Sequence, residues 1–248
     1  LGKFSTPITM IANEADQTIF TADGSEKLDQ VLIEQLDEVL KDPSPKKFIV
    51  LHMEGSHFDY RHRFTKEFNQ FQPSYFDREL GNWTDDRQKA ELVNSYDNTI
   101  LYTDSVLEQV MSRLKQKPGM ASMTFVSDHG ERLMDNDKSE ILHSSTLGSQ
   151  AEFEIPFMIW LNEGYRKEFP NQVKNLGTNQ YLVASSFVLF DTLLGLGNME
   201  IAGHKAELNV FSATYHGSSR PVLLPGGDVL DFDRDILNHE TRPMMSNK

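Results

Sequence analysis

The chain has 248 residues and a net charge of −13 at pH 7, from 24 Lys and Arg against 37 Asp and Glu. This length suffices for a sizeable core, and we expect one domain over residues 1–248. The acidic balance, with no Lys/Arg-rich run, argues against a nucleic-acid partner, and the absence of cysteine excludes thiolate catalysis, Cys-ligated zinc and disulfide bonds. No segment approaches the roughly 18 consecutive apolar residues that span a bilayer.

The predicted elements start with an amphipathic helix that begins at Ser25 and ends before Pro43. The mostly apolar run from Lys46 to Met53 follows and is typical of a buried strand in a parallel sheet. The polar, aromatic-rich stretch from Glu54 to Trp83 has little periodicity. It therefore predicts a long irregular segment, and such segments in compact domains often carry function.

A second helix is predicted from Thr84 to a break at Pro118, and the next strand from Met123 to Val126. The run from Ile155 to Leu161 predicts a third strand, with its proline near the first position, where a missing N–H is tolerated. Residues Tyr181 to Leu196 predict another buried helix. These elements alternate between strand and helix along most of the chain.

This alternation predicts an α/β fold with a mostly parallel sheet that is covered by helices on both faces. Near the C-terminus, Pro221 to Leu224 and Val229 to Phe232 predict an edge hairpin around Pro225-Gly226-Gly227. Ligands of parallel sheets gather at the carboxyl ends of the strands. We therefore expect the functional residues among the polar side chains that directly follow predicted strands.

Asp128 and His129 come directly after the strand that ends at Val126. A carboxylate and a neutral imidazole nitrogen can bind one divalent ion at about 2.0–2.2 Å, which favours a metal site. The same residues are also compatible with a strand-to-loop turn in which Gly130 supplies a positive φ and the acids are solvated. Glu131 either orients a metal ligand or is a solvated loop acid.

Two further histidines lie in similar surroundings, His57 after the predicted strand at Lys46–Met53 and His143 in a short polar loop. A lone histidine is more often a structural residue than a ligand. Three histidine-bearing loops in the places where such a sheet builds a site nevertheless favour a common pocket. We predict that His57, Asp128, His129 and His143 meet around a metal-dependent pocket on one rim of the fold.

Six short motifs then occur in a fixed order along the sequence. They are His52–His57, Phe68–Pro73, Asn94–Thr99, Ser127–Glu131, Leu142–His143 and Ile155–Leu161. Each is modest alone, but the ordered set over residues 52–161 resembles the phosphoethanolamine transferases, which are sulfatase-like members of the alkaline phosphatase superfamily. The resemblance continues more weakly through Phe190–Leu194. It implies the sulfatase-like α/β fold.

The resemblance also implies an activity and a location. The implied enzyme is anchored in the bacterial inner membrane, with its catalytic domain facing the periplasm. It moves phosphoethanolamine from phosphatidylethanolamine to a sugar of the lipopolysaccharide core or lipid A, or to another envelope glycan, through a phospho-Thr enzyme intermediate. One or two Zn²⁺ ions would act as Lewis acid and lower the pKa of the nucleophile.

Site residues follow from the same resemblance. Asp128 and His129 match the family's zinc ligands, whereas His57 and His143 match the histidines that contact the transferred phosphate or hold a second metal. Phosphoryl transfer needs little beyond positioning and neutralisation of oxygen charge, which these groups can supply.

The sequence also departs from the family pattern. The nucleophilic Thr and an acidic zinc ligand of the family lie upstream of the segment that Leu1 to Phe20 resembles, and neither Ser5 nor Thr6 is expected to replace that Thr. We therefore expect the chain to be the C-terminal part of a catalytic domain, incomplete at its N-terminus, inactive in transfer by itself and joined to the membrane by an upstream segment. The lack of cysteine favours a branch that modifies core sugars or glucans. Asp191 stands where many relatives have His.

Two alternatives remain open at this point. One is a sulfatase, phosphoglycerol transferase or phosphodiesterase of the same superfamily, which would share Asp128 and His129. The other is a non-catalytic remnant that binds glycans or an envelope partner. Metal content separates the second alternative from an enzyme.

Overall fold

The computed structural model describes residue 10 and residues 12–21, 27–77, 86–135, 140–143, 149–224 and 227–237. The chain divides into two compact units, Leu1–Arg113 and Leu114–Lys248. The helices are α1 (Gln30–Val39), α2 (Asp86–Lys115), α3 (Gln150–Phe153), α4 (Glu163–Glu168), α5 (Pro170–Asn179) and α6 (Leu189–Leu196). The strands are β1 (Ser122–Val126), β2 (Arg132–Leu133), β3 (Ile141–Leu142), β4 (Phe157–Leu161), β5 (Pro221–Leu223) and β6 (Val229–Asp231). The expectation of one domain over residues 1–248 stays a prediction.

The first unit contains the two predicted helices. Helix α1 ends at Val39, before Pro43, as the sequence predicts, while its predicted start at Ser25 lies outside the described residues. Helix α2 ends at Lys115, ahead of the predicted break at Pro118. Arg113 of α2 donates two hydrogen bonds to the Asp37 carboxylate of α1, at 2.7 and 3.1 Å. This bidentate pair fixes the two helices against each other.

The segment between these helices differs from the prediction. Lys46–Met53 contains no strand, and Phe48 and Val50 expose 76% and 56% of their surface. The prediction of a buried strand is therefore wrong for this structure. Apolar β-branched and aromatic residues favour a strand locally, but a strand forms only against a hydrogen-bonded neighbour. None of the described strands pairs with this segment.

Up to residue 77, where the described part of this stretch ends, the segment after Met53 is irregular, as predicted, apart from two 3₁₀ turns at Tyr60–His62 and Lys66–Phe68. Aromatic pairs attach it to α2. Tyr60 packs edge-to-face on Tyr96, with ring centroids 5.2 Å apart, and Phe68 packs in the same way on Tyr102 at 5.1 Å. Such pairs contribute beyond their buried area, so the stretch is fixed without regular secondary structure.

The second unit is organised around the antiparallel pair β1–β4, in register from Ser122↔Leu161 to Val126↔Phe157. Its core consists of Leu161, Tyr165, Val188, Val210, Phe211 and Tyr215. Among the described strands all three pairs are antiparallel, in contrast to the predicted parallel sheet. Residues 127–156 connect β1 to β4 and contain β2, β3 and the one-turn helix α3.

The helix predicted for Tyr181–Leu196 is shorter than expected. It begins at Leu189, after a 3₁₀ turn at Ser186–Val188, and Tyr181 is 85% exposed. The preceding backbone bonds elsewhere: Val183 O accepts from Tyr215 Oη at 2.7 Å and from Ser218 N at 3.0 Å. These tertiary hydrogen bonds compete with the hydrogen bonds of a helix. The helix therefore begins later in the chain than predicted, at Leu189.

The C-terminal hairpin is confirmed. Strand β5 pairs antiparallel with β6, from Pro221↔Asp231 to Leu223↔Val229. The turn residues Pro225 and Gly226 lie outside the described residues. None of the helices in the described ranges is long and apolar enough to cross a membrane.

Candidate metal site

The loop that carries Asp128 and His129 begins directly after β1 and is fixed by its own polar groups. Ser127 Oγ donates to His129 O at 2.7 Å, and His129 N donates to Asp128 Oδ1 at 3.0 Å. Gly130 N donates to Glu152 O of α3 at 2.8 Å. Each of these bonds satisfies a backbone group that has no strand partner, so the loop is ordered at the strand end.

Gly130 is required by a close approach rather than by its φ angle. It is not among the positive-φ residues of the chain, in contrast to the turn interpretation of the sequence. A Cβ atom at this position would lie 2.1 Å from Ala151 O and 3.2 Å from Ala151 C. Only glycine allows the loop to lie this close to the α3 backbone.

The hairpin β2–β3 brings Glu131 and His143 together. Its register pairs Arg132 with Leu142 and Leu133 with Ile141, so the residues that flank the hairpin, Glu131 and His143, face each other. His143 Nδ1 lies 2.8 Å from Glu131 Oε1. Because an ionised carboxylate only accepts, the Nδ1–H of the ring donates here, and Nε2 is left for another partner.

His129 lies against His143, with ring centroids 3.8 Å apart and ring planes at 36°. Its Nδ1 donates to Gly130 O at 2.9 Å, since a carbonyl oxygen only accepts, and its Nε2 is likewise left for another partner. One ligand atom from each of His129, Glu131 and His143 lies within 4.8 Å of the other two. Metal-binding histidines in proteins usually donate their second ring N–H to a carboxylate or a backbone carbonyl, as both rings do here.

Two further observations bear on a divalent cation at this place. Glu131 Oε2 is buried and has no hydrogen-bond partner among the described residues. Asp128 Oδ2 lies 3.8 Å from His129 Nε2, and the Asp128 side chain is 87% exposed. Two ligand atoms on one tetrahedral ion are about 3.4 Å apart, so small side-chain movements suffice for shared coordination. The donor set of carboxylate oxygen and imidazole nitrogen therefore fits Zn²⁺.

Arg132 is the buried cation next to this cluster. Its Nη1 donates to Glu140 Oε2, and its Nε lies 3.4 Å from Glu152 Oε2. Arg132 and Glu152 are both buried. These two carboxylates match the charge of Arg132, and the ion pair with Glu152 links the hairpin to α3.

His57 belongs to the first unit and is exposed. Its Nδ1 donates to Phe58 O at 2.6 Å, and its own carbonyl accepts from Arg63 Nε at 3.0 Å. Nε2 is therefore left for another partner, as in His129 and His143. Asp128, His129 and His143 come together within the second unit, and the meeting of His57 with these three residues stays a prediction.

The sequence analysis missed the residues that support this cluster. The strands β2 and β3 have two residues each, which is too short for a period of two to be recognised. Arg132 and Glu152 lie in none of the six motifs of the sequence analysis. Asp191, whose role the sequence left open, is buried and accepts a hydrogen bond from Lys205 N at 2.7 Å, which fixes the segment after α6.

Comparison with known proteins identifies the family. The family described as Sulfatase matches residues 1–199. The sequence is 32% identical to phosphoethanolamine transferase EptA of Escherichia coli (strain K12) over 202 residues, which cover 78% of this chain and 35% of that protein. It is 29% identical to Kdo(2)-lipid A phosphoethanolamine 7''-transferase of the same strain over 175 residues, which cover 67% of this chain and 29% of that protein. The chain thus spans about a third of the length of these relatives.

A solved structure confirms the predicted fold family. The C-terminal periplasmic domain of EcEptC from Escherichia coli, crystallised in complex with Zn, superimposes with a TM-score of 0.80 at 21% identity. The match covers 94% of this chain and 65% of that domain. The resemblance to phosphoethanolamine transferases that the ordered motifs predict is confirmed by these relatives. The chain belongs to the sulfatase family.

Proposed function

We propose that this chain is the C-terminal part of the periplasmic catalytic domain of a zinc-dependent phosphoethanolamine transferase. The donor would be phosphatidylethanolamine, and the acceptor a lipopolysaccharide sugar or another envelope glycan. The protein would be attached to the bacterial inner membrane through a segment outside this chain. Sequence relatives that carry phosphoethanolamine transfer in their names support the reaction class.

The observation that carries the proposal is the arrangement of the histidine rings beside Glu131. His129 and His143 each use Nδ1 in a hydrogen bond to a group that only accepts, which leaves both Nε2 atoms available. Glu131 adds a buried carboxylate oxygen without a hydrogen-bond partner among the described residues, and burying such an atom is unfavourable unless a cation or a donor meets it.

Each residue then has a role in a phosphoryl transfer. Asp128 and His129 would hold Zn²⁺, which supplies a Lewis acid and lowers the pKa of a hydroxyl nucleophile. His143, oriented by Glu131, would present Nε2 to an oxygen of the transferred phosphate when the ring is protonated, or to a second cation when it is neutral. His57 would contact the same phosphate. The attacking Thr is expected upstream of this chain.

A metal-binding experiment tests this proposal on the intact protein, including its upstream segments. We expect bound zinc in the wild type and its loss in the double variant Asp128→Asn plus His129→Ala. Phosphoethanolamine transfer should fall on the order of 1000-fold, since a Lewis acid supplies several kcal/mol of charge stabilisation. His216→Ala, at an exposed histidine outside the cluster, is the matched control and should keep both zinc and activity.

Several outcomes would contradict the proposal. An intact protein that binds no zinc at any concentration tested would favour a non-catalytic glycan-binding protein. Cleavage of phosphatidylethanolamine without transfer to any glycan would indicate a phosphodiesterase. Hydrolysis of sulfate esters, with a Cys or Ser upstream in place of the Thr, would indicate a sulfatase.

A further inference from the structure

The loop Glu54–His57 has no regular secondary structure, so other groups must satisfy its backbone amides. Asp29 does so from 25 residues away in sequence. Its Oδ1 accepts from Glu54 N at 2.9 Å, and its Oδ2 accepts from Gly55 N at 2.8 Å. The two carboxylate oxygens thus bind the adjacent amides that lie three and two residues before His57. We refer to this arrangement as the Asp29 clamp.

Asp29 occupies the N-cap position of α1, where an aspartate ordinarily caps its own helix. Here the side chain makes no capping hydrogen bond and is turned to the loop instead. Asp29 is 6% exposed, and α1 buries Ile33 and Leu36 in the same unit. The clamp therefore starts from a fixed element. A buried carboxylate that accepts two N–H bonds is a strong and directional partner for a loop.

A second contact reaches the same loop from α2. The hydroxyl groups of Thr99 and Ser56 are hydrogen-bonded at 2.6 Å, and Thr99 is fully buried. His57 N donates to Glu54 O at 3.2 Å and closes a turn. The loop backbone is thus fixed on both sides of Gly55, which has a φ of +55°, while the His57 ring stays exposed. An exposed imidazole can be oriented precisely only if the backbone that carries it is rigid.

We propose that Asp29 is a positioning residue for His57 in cleavage of the phosphate donor. This inference rests on the proposed function, in which the His57 ring contacts the transferred phosphate. Asp29 itself would touch neither substrate nor metal. It would act through the amides of Glu54 and Gly55, and a displacement of about 1 Å in a positioned catalytic group costs on the order of 100-fold in rate.

Asp29→Asn is the diagnostic substitution because it keeps the shape of the side chain and removes one of its two acceptors. An Asn amide nitrogen would face the N–H of Glu54 or Gly55, and the clamp would keep at most one bond. In the intact protein we expect kcat for phosphatidylethanolamine cleavage to fall about 10- to 100-fold, with KM little changed. Amide hydrogen exchange over residues 54–57 should accelerate, and zinc content should stay at the wild-type level.

A double-mutant cycle separates positioning from general support of the fold. If Asp29 acts through His57, the double variant Asp29→Asn plus His57→Ala should cleave the donor no more slowly than His57→Ala alone. Asn98→Ala is the matched control, because Asn98 Oδ1 also accepts from two backbone amides, those of Gln70 and Phe71, each at 2.9 Å. Its effect should add to that of His57→Ala.

The outcomes distinguish this inference from the proposed function. Losses that add in the Asp29→Asn plus His57→Ala variant would make Asp29 a structural residue, and unchanged amide exchange would show that the clamp does not order the loop. Either result overturns the inference while the transferase proposal stands if His57→Ala slows donor cleavage. If His57→Ala leaves cleavage unchanged, His57 is outside the site, and both its proposed role and the Asp29 inference fall.

Discussion

The two histidine-bearing loops are fixed in different ways. The irregular stretch that begins with the His57 loop is fixed by side chains of helices, since Asp29 and Asn98 each accept hydrogen bonds from two of its backbone amides. The loop after β1 is attached to α3 through backbone, by the hydrogen bond from Gly130 N to Glu152 O and the contact of Gly130 with Ala151. Substitution of Asp29 or Asn98 should therefore disturb the first loop. Addition of a Cβ atom at Gly130 should disturb the second.

Gly130→Ala should have the largest effect because the new Cβ would meet the Ala151 carbonyl at 2.1 Å, and backbone rather than a flexible side chain would have to move. We expect a loss of about 3 kcal/mol in the free energy of unfolding, at the upper end of overpacking effects, and loss of zinc as the loop is displaced. Denaturant unfolding and metal content of the intact protein measure the two effects.

The control for this variant is Gly177→Ala within α5, where the new Cβ meets nothing within 4 Å. It should stabilise the protein by about 0.5–1 kcal/mol, because alanine loses less backbone freedom than glycine in a helix. Equal stability of the Gly130→Ala and Gly177→Ala variants would show that the contact with α3 does not constrain the loop.

Asn98→Ala tests the loop that is fixed by polar side chains, and it should have an intermediate effect on the free energy of unfolding. Asn98 is fully buried, and its removal takes one acceptor from the amides of Gln70 and Phe71, of which Gln70 N keeps its hydrogen bond to Phe68 O. We expect a loss of about 1–2 kcal/mol, because the variant loses the hydrogen bonds that Asn98 makes to the loop backbone. Faster amide exchange confined to residues 69–72 would locate the effect, whereas exchange that rises equally in all peptides would contradict a local clamp.

Asp97→Asn should have the smallest effect, with the opposite sign. Burial raises the pKa of Asp97 above its ordinary value of 3.8, so the folded state disfavours the charged carboxylate. Stability is therefore lost as the pH rises from about 3.8 through the folded-state pKa, and the penalty is present at pH 7. The asparagine variant should be more stable at pH 7 by less than about 1 kcal/mol, after allowance for solvent screening.

Unfolding midpoints measured at several pH values check this expectation. The advantage of the Asp97→Asn variant should shrink as the pH falls through the raised folded-state pKa towards 3.8, because the native carboxyl group takes up its proton in that range. An advantage that is independent of pH, or a loss of stability at pH 7, would show that burial does not determine the charge state of Asp97. Asp97 and Asn98 are neighbours on α2. The two variants therefore compare a side chain that fixes the loop by hydrogen bonds, Asn98, with one that is not part of that arrangement, Asp97.

Local patterns were sufficient for the long helices and for the place of Asp128 and His129 after a strand. The apolar spacing of α1 and α2 and the breaks at Pro43 and Pro118 were readable because helices are stabilised by contacts within a few residues. The pair Asp128–His129 stands at a strand end, as predicted, because β1 is a short apolar run followed by polar residues.

The errors lie where a distant partner decides the outcome. Lys46–Met53 has the composition of a strand but no strand partner among the described residues, and the helix before Leu189 is shortened by hydrogen bonds to Tyr215 and Ser218. The amino-acid composition of a segment indicates its local preference for strand or helix, whereas strand pairing depends on which segments meet in space.

The sequence by itself determined the family, through six ordered motifs, and it determined which residue types could bind a metal or a phosphate. Only the tertiary structure decided that Glu131 faces His143, that Gly130 is needed for its missing Cβ, and that Asp29 serves a loop 25 residues away instead of its own helix. The physical reason is that ligand type is a property of one side chain, while orientation is a property of hydrogen bonds between segments that only folding brings together.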